Sequence, residues 1–369
     1  MKNSKVYHSN HREHHHHNIY DKVKKLIKAV NLSDIIKKDD IVAIKIHFGE
    51  YGNTAYIRPP IVRIFVDAII EAGGKPFLTD GSTLYKGSRC DAVSHLNTAV
   101  KNGFSYSVVN APLMIADGLK GSSCIKVKID GKYFEYVELG AETHHADALL
   151  ILTHFKLHEL AAIGGSIKNI SMGLAAKSGK LAMHSSVSPE VNGNKCVKCL
   201  RCHQICAANA ILKKDKSVAI DKNKCAGCAQ CIMNCPVGAI DVVWNAASNI
   251  TQEKMCEYAK GILQSKENKF CCFNFLNRIT PECDCYGHSD ASITQDIGIL
   301  ASQDIVAIDK ASVDLLNAQE GLKNSALKSN FEPGEDKVKG VYPHLDWKPQ
   351  IEYAEKIGLG NSNYQLVKV

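Results

Sequence analysis

The chain has 369 residues, 45% of them hydrophobic, and a formal net charge of +7. That length supports two domains, or one large domain carrying an insertion. No apolar run approaches the roughly 18 residues of a membrane span, and the basic residues lack the interleaved aromatics of a nucleic-acid surface, so neither a membrane nor a nucleic acid is an expected partner.

The opening stretch, "MKNSKVYHSNHREHHHHNIY", is polar and has no apolar signal-peptide core, so the expected location is the cytoplasm. Its histidine tract (11–18) reads as a solvated loop with the means to scavenge metal, and nothing ties it to a site. "DIVAIKIHF" (40–48) is a nearly continuous apolar strand, as a sheet covered on both faces needs. "RPPIVRIFVDAIIEAGG" opens with proline and stops at glycine, which predicts a helix. "KPFLTDGS" reads as strand then loop, "SRCDAVSHLNTAVKNG" as a helix ended by Gly103, and "SVVNA" as a short strand. "CIKVKIDGKYFEYVEL" alternates on both sides of Asp130-Gly131, which predicts a hairpin. "HADALLILTHF" is another buried strand.

Eight of the fifteen cysteines follow. Cys196, Cys199, Cys202 and Cys206 stand at x2, x2 and x3 spacing, and Cys225, Cys228, Cys231 and Cys235 repeat it, with Pro236 next. This is the two-cluster spacing of bacterial ferredoxins, in which the fourth cysteine of each run serves the other cluster. Two residues between cysteines let three thiolates converge on one cubane, and the fourth corner is reached from elsewhere. One [4Fe-4S] cluster is therefore expected on Cys196, Cys199, Cys202 and Cys235, and a second on Cys225, Cys228, Cys231 and Cys206. A zinc ribbon would need only four cysteines. Residues 190–245 thus resemble the bacterial-type ferredoxins, except that Ala207 stands where that pattern has proline. "KSVAIDKNKC" supplies a strand between the two runs.

The α/β pattern then resumes. "TQEKMCEYAKGILQ" places Met255, Tyr258, Ala259 and Ile262 on one helical face. "FCCFNFLN" reads as a strand, "DIVAIDKASVDLLNA" as a strand–helix unit, and the chain end as a short helix and a final strand. The expected organisation is a Rossmann-like α/β domain in two parts (1–187 and 246–369) around an α+β two-[4Fe-4S] ferredoxin-type domain (188–245), with "WNAASN" (244–249) as the return linker.

Several polar residues are not explained by folding. His154, Lys156, His158 and Glu159 follow a buried strand, and Gly164, Gly165, Lys168 and Asn169 come next. Ligands of open α/β sheets bind beyond the carboxyl ends of strands, and glycines opening a helix suit an anion. Lys45, His47, Arg58, Asp80, Ser82 and Thr83 close other strands or follow them. "KIHFGEYGNTAYIRP", "TDGSTLYKGSR", "LTHFKLHELAAIGGSIKNISMG", "GKLAMHS" and "ITPECDC" resemble the "domain of unknown function 362" family nearly end to end. That family often carries a two-cluster ferredoxin module at this place, and Leu157 stands where it commonly has glycine.

"HELAAIGGSIKNISMG" is locally similar to the nickel-pincer-nucleotide lactate racemase family. The resemblance implies a proton-moving histidine at His158, a cofactor lysine at Lys168 ten residues on, and a metal-binding histidine at His184 sixteen beyond that. Arg58-Pro59 is similar to that family's substrate-side arginine. Ala162-Ile163 depart from its Gly-Phe, and it has no ferredoxin insertion.

In "PECDCYGH" (281–288), Cys283 and Cys285 point to one side if the stretch is extended, with His288 near, and so offer a further metal site or a structural pair. The reading that follows is an iron–sulfur protein passing single electrons between a redox partner protein and a pocket for an anionic small molecule or further metal cofactor, as an oxidoreductase or its electron-transfer subunit. A cluster- or metal-delivering binding protein and an isomerase-like enzyme with structural clusters remain open. The residues expected to act in the pocket are His158, Lys168 and Arg58, with His184, Gly164 and Gly165 on the cofactor.

Overall fold

The structure is a computed structural model that describes residues 4–15, 17–85, 87–184, 189–206, 208–225, 229–241, 248–266 and 268–369. Eight strands form the main sheet: β1 (Ser4–Asn10), β2 (Ile41–Lys45), β3 (Lys75–Asp80), β4 (Leu113–Ile115), β5 (Ala148–His154), β6 (Phe270–Leu276), β7 (Gly298–Ser302) and β8 (Tyr364–Lys368). Their order is β8-β1-β7-β6-β5-β2-β3-β4. β7 runs antiparallel to both its neighbours, and every other pair is parallel. The α/β class holds, and the sheet is mixed. Its antiparallel member follows from the connection between β6 and β7, which has no helix to carry the chain across a sheet face.

The continuous apolar runs are explained by cover on both faces. Ala43, Leu149 and Ile151 point into one core with Met255, Ala259 and Ile308. Val42, Ile44, Leu150 and Leu152 point into the other with Leu26, Phe65 and Val66. Each such fully buried leucine or isoleucine contributes about 1.5–3 kcal/mol over exposure. Proline sets the first turn of the helix Pro59–Glu71, and Gly73 follows it at φ +88°.

Two expectations change. "SVVNA" forms part of a helical turn, Tyr106–Val109, and the strand comes afterwards as β4. "DIVAIDKASVDLLNA" is helical from Ile305 to Asn317, because the Asp304 side chain accepts from the Val306 and Ala307 amides and starts the helix there. The strand lies earlier, as β7. The polar opening stretch, left without an element, supplies β1.

β5 and β6 are neighbours in register, Thr153 opposite Asn274, although the cysteine-rich segment separates them in sequence. That segment leaves the sheet and returns to it. Glu190–Val191 pairs with Ile240–Asp241, and Ile211–Lys213 with Val218–Ile220, both antiparallel. The short helices Arg201–Ile205 and Gln230–Met233 come one from each cysteine run. Most of the expected linker, residues 244–247, lies outside the described residues.

Candidate functional site

β2 leads to β3 on one side, whereas β4 leads back to β5 on the other side of β2. The gap between β2 and β5 is therefore the switch point of the sheet, where open α/β sheets leave a crevice beyond their carboxyl ends. A cavity of about 750 Å³ lies there. Lys45, Asp80 and Lys156, from the ends of β2, β3 and the residues after β5, line it together with His158, Lys168 and His184.

Its floor is charged and mostly paired. Lys45 Nζ lies 3.0 Å from Asp80 and donates to Asn169 Oδ1 at 2.7 Å. Arg89 bonds Glu50 at 3.0 Å and the Tyr85 hydroxyl at 2.9 Å, and reaches Asp80 at 3.5 Å. Burial lowers Lys45 to about 8 even though Asp80 opposes it. Burial alone would raise Asp80, but the charges led by Lys45 hold it well below the usual carboxylate range. On the other side, buried Asp284 takes Lys156 at 3.0 Å and His154 Nδ1 at 3.0 Å. His154 Nε2 faces the carbonyls of Asn277 and Arg278.

Of the residues expected in the pocket, His158, Lys168 and His184 meet at this cavity and Arg58 does not. Arg58 stands exposed at the N-cap position of the helix Pro59–Glu71, without a capping bond from its side chain, and a guanidinium that does line the cavity is that of Arg89. Burial, then the charges of Lys168 and His184, drives His158 well below its ordinary value. Its Nδ1 accepts the Leu160 and Ala161 amides at 3.0 and 3.1 Å. A neutral imidazole with Nδ1 so engaged carries its hydrogen on Nε2 and is a donor there. Burial lowers His184 to about 3 and Lys168 to about 7, with the charge of Lys156 adding to the effect on Lys168. Among the described residues no carboxylate forms an ion pair with Lys168. Its Nζ lies 3.5 Å from Cys283 Sγ.

Gly164 and Gly165 line the cavity, but their geometry corrects the expected anion cradle. The first amides of the helix Ser166–Leu174 already have an anion, Asp309, whose oxygens accept from Ser166 at 2.7 Å and Ile167 at 2.9 Å. A Cβ on Gly165 would stand 2.5 Å from that carboxylate, so glycine admits Asp309 rather than a ligand. Burial raises Asp309 to about 6. Arg89, Glu50, Tyr85, Lys180, Asp284 and Asp309 were missed in the sequence. For Tyr85, Arg89 and Asp284 the signal was the density of charge in "STLYKGSRC" and "PECDC"; Glu50, Lys180 and Asp309 have none in those stretches.

Cys283 and Cys285 also line the cavity, and their sulfurs are bonded to each other. His47 joins them: ligand atoms of His47, Cys283 and Cys285 all lie within 4.8 Å of one another, a group able to hold a metal ion when the thiols are free. His288, expected near them, instead bonds Glu282 at 2.6 Å from an exposed position.

In the cysteine-rich segment, Cys196, Cys199, Cys202 and Cys235 line one small pocket with Lys198, Leu200, Val218 and Ile240. The fourth cysteine of each run receives a matching backbone bond, Ala210 N to Cys206 Sγ at 3.2 Å and Ala239 N to Cys235 Sγ at 3.1 Å. Cys228 and Ala207 lie outside the described residues. Leu84, from the loop after β3, and Leu181, from the helix Lys177–His184, belong to one apolar cluster with Cys202, Ile211 and Ile232. Leu84 and Asp241 also line the large cavity.

Residues 42–314 match the family described as "Domain of unknown function (DUF362)". No curated protein matches the chain. Among solved structures, it is similar to the lactate racemase apoprotein from Thermoanaerobacterium thermosaccharolyticum, at 12% identity and TM-score 0.37, covering 74% of this chain and 50% of that one. A protein from Thermotoga maritima is similar at 10% identity and TM-score 0.40, covering 91% of this chain and 58% of that one. The chain thus spans about half the length of the first and 58% of the second. No helix among the described residues is long and apolar enough to cross a membrane.

Proposed function

The chain belongs to the DUF362 family, and from that premise we propose that it is an iron–sulfur redox protein that delivers electrons to an anionic small molecule held in the switch-point cavity. Cys196, Cys199, Cys202 and Cys235 would hold one [4Fe-4S] cluster, and Cys225, Cys228, Cys231 and Cys206 the other. When bound, such clusters supply electrons one at a time at low potential. The crossed set of four cysteines around one pocket fits a cubane, and amide-to-sulfur bonds such as Ala239 N to Cys235 stabilise charge on the ligands.

The single observation that carries the reading is the docking of the cysteine-rich segment at the cavity. Leu84 belongs to both, sharing the apolar cluster of Cys202, Ile211 and Ile232 and lining the cavity. Short separation between a donor and a substrate site is what electron delivery needs. A cluster carrier without turnover has no use for a charged cavity beside its cysteines.

The residues of the chain divide the remaining work. Lys168, which forms no carboxylate ion pair among the described residues, would attract the anion. His158 donates from Nε2 to an oxygen of it and, with Nδ1 occupied, is unsuited to abstract a proton. That weighs against the isomerase-like reading. Lys45 and Arg89 are held by Asp80 and Glu50 and fix the floor. The test is anaerobic purification with iron and sulfide analysis, followed by reduction and reoxidation. About eight irons and reversible bleaching are expected. Loss of a cluster to an apo-acceptor without reversible reduction would favour the delivery reading instead.

A further inference from the structure

The cystine in the cavity has no structural purpose of the usual kind. A disulfide stabilises chiefly by closing a loop in the unfolded chain, worth about 3 kcal/mol for a 15-residue loop. Cys283 and Cys285 are two residues apart, so their bond constrains almost nothing. It also faces the cavity rather than the core.

Its surroundings suit a bond that opens and closes. The residue between the cysteines, Asp284, is clamped by Lys156 and His154 at 3.0 Å each. Its carbonyl accepts from Glu50 N at 3.0 Å, and the Cys285 carbonyl accepts from the Tyr85 hydroxyl at 3.2 Å. None of these contacts involves sulfur. The loop therefore keeps its place whether or not the sulfurs are joined, and reduction costs no refolding. Lys168 Nζ, 3.5 Å from Cys283 Sγ, is placed to stabilise a thiolate there.

We propose that Cys283 and Cys285 are a redox-active pair that stores two electrons beside the substrate position. In the step, the S–S bond takes up two electrons and breaks, and two protons from solvent or cavity donors complete the two thiols. The electrons come one at a time from a low-potential one-electron donor, the role given above to the clusters. The proposal rests on that reading for its electron source. A pair of one-electron carriers beside a two-electron acceptor matches single-electron supply to two-electron chemistry.

The experiment uses the full-length protein purified without oxygen. One portion is oxidised with a mild dye and another reduced with titanium(III) citrate. Both are quenched in acid, alkylated, digested and weighed. The peptide carrying Cys283 and Cys285 should be unalkylated after oxidation and doubly alkylated after reduction. A reductive titration should take about four electrons per chain, and about two in Cys285→Ser, counting one for each cluster.

Double alkylation in both states, or equal electron uptake by the two proteins, would overturn the proposal. So would a stoichiometric metal other than cluster iron that disappears in Cys285→Ser, since it would make the pair ligands with His47. An absence of cluster iron with a cystine that dithiothreitol still opens would instead sink the cluster reading and leave the redox pair standing.

Discussion

Lys45 and Asp80 end adjacent parallel strands, and their side chains meet at 3.0 Å with 1% and 3% of their surfaces exposed. Arg89 at 3.5 Å and His95 at 3.6 Å face the same carboxylate. Removing one partner of a buried pair strands the other, at a cost of about 3–5 kcal/mol. Asp80→Asn should therefore lower stability by that much in urea denaturation. The double variant Lys45→Met, Asp80→Asn should recover part of the loss. A double-mutant cycle without coupling would show that the pair does not hold the cavity floor.

The buried carboxylates give opposite pH dependences. Asp80 and Asp284 are held below their ordinary value of 3.8, so their contribution is present above that value and is lost as pH falls below it. Asp309 is raised to about 6, so between about 3.8 and 6 the folded state keeps a proton that the unfolded chain has released. Its effect on stability must then decline as pH rises through that window. Comparing urea midpoints of the natural chain and Asp309→Asn from pH 4 to 7 should show the natural chain losing ground to the variant up to about pH 6. A constant difference would contradict the assignment.

The crossed ligand sets make a selective prediction. Cys235→Ala should remove the cluster expected on Cys196, Cys199 and Cys202, leaving about four of about eight irons. The surviving cluster's paramagnetic signal on reduction should match that of the natural protein. Selective loss of the cluster on Cys225 and Cys231 would reverse the assignment.

Lys168 and Arg58 form a matched test of the cavity. Lys168→Ala should weaken binding of oxalate or phosphate, measured by calorimetry, at least tenfold, about 1.4 kcal/mol. Cluster absorbance should be unchanged. Arg58→Ala should bind these anions as the natural chain does, because Arg58 is exposed outside the cavity. Equal binding by the Lys168 variant would remove the lysine from the anion site.

The parts legible in the sequence are those written locally. β2 and β5 are continuous apolar runs, so their ends, and with them Lys45, His158 and the approach to Lys168, could be read directly. The cysteine spacing is equally local. Asp309 was illegible because its partners, Ser166 and Ile167, belong to a distant helix and only tertiary packing brings them together. The same holds for Asp284 and Lys156. Arg58 was misplaced because strand-end position says nothing about which way a side chain leaves the helix start. "DIVAI" resembles a strand because five residues carry no period long enough to tell strand from helix, and the Asp304 cap makes it a helix.

The pairing of β5 with β6 across the cysteine-rich segment sets an order of events as the chain is made. Until β6 arrives, Leu149, Leu150, Ile151 and Leu152 sit on an open strand edge, the kind of surface that invites pairing with other chains. The intervening segment must be synthesised first, and its length adds only slowly to the entropy of closing that loop. Under the proposed cluster reading, assembly on the cysteines would begin while the sheet is still half built, and a cysteine-rich segment left slack would delay closure rather than merely empty a site. A fragment ending before the first cysteine run should accordingly collect in the insoluble fraction on expression, and supplying residues 246–369 as a separate chain should return part of it to solution.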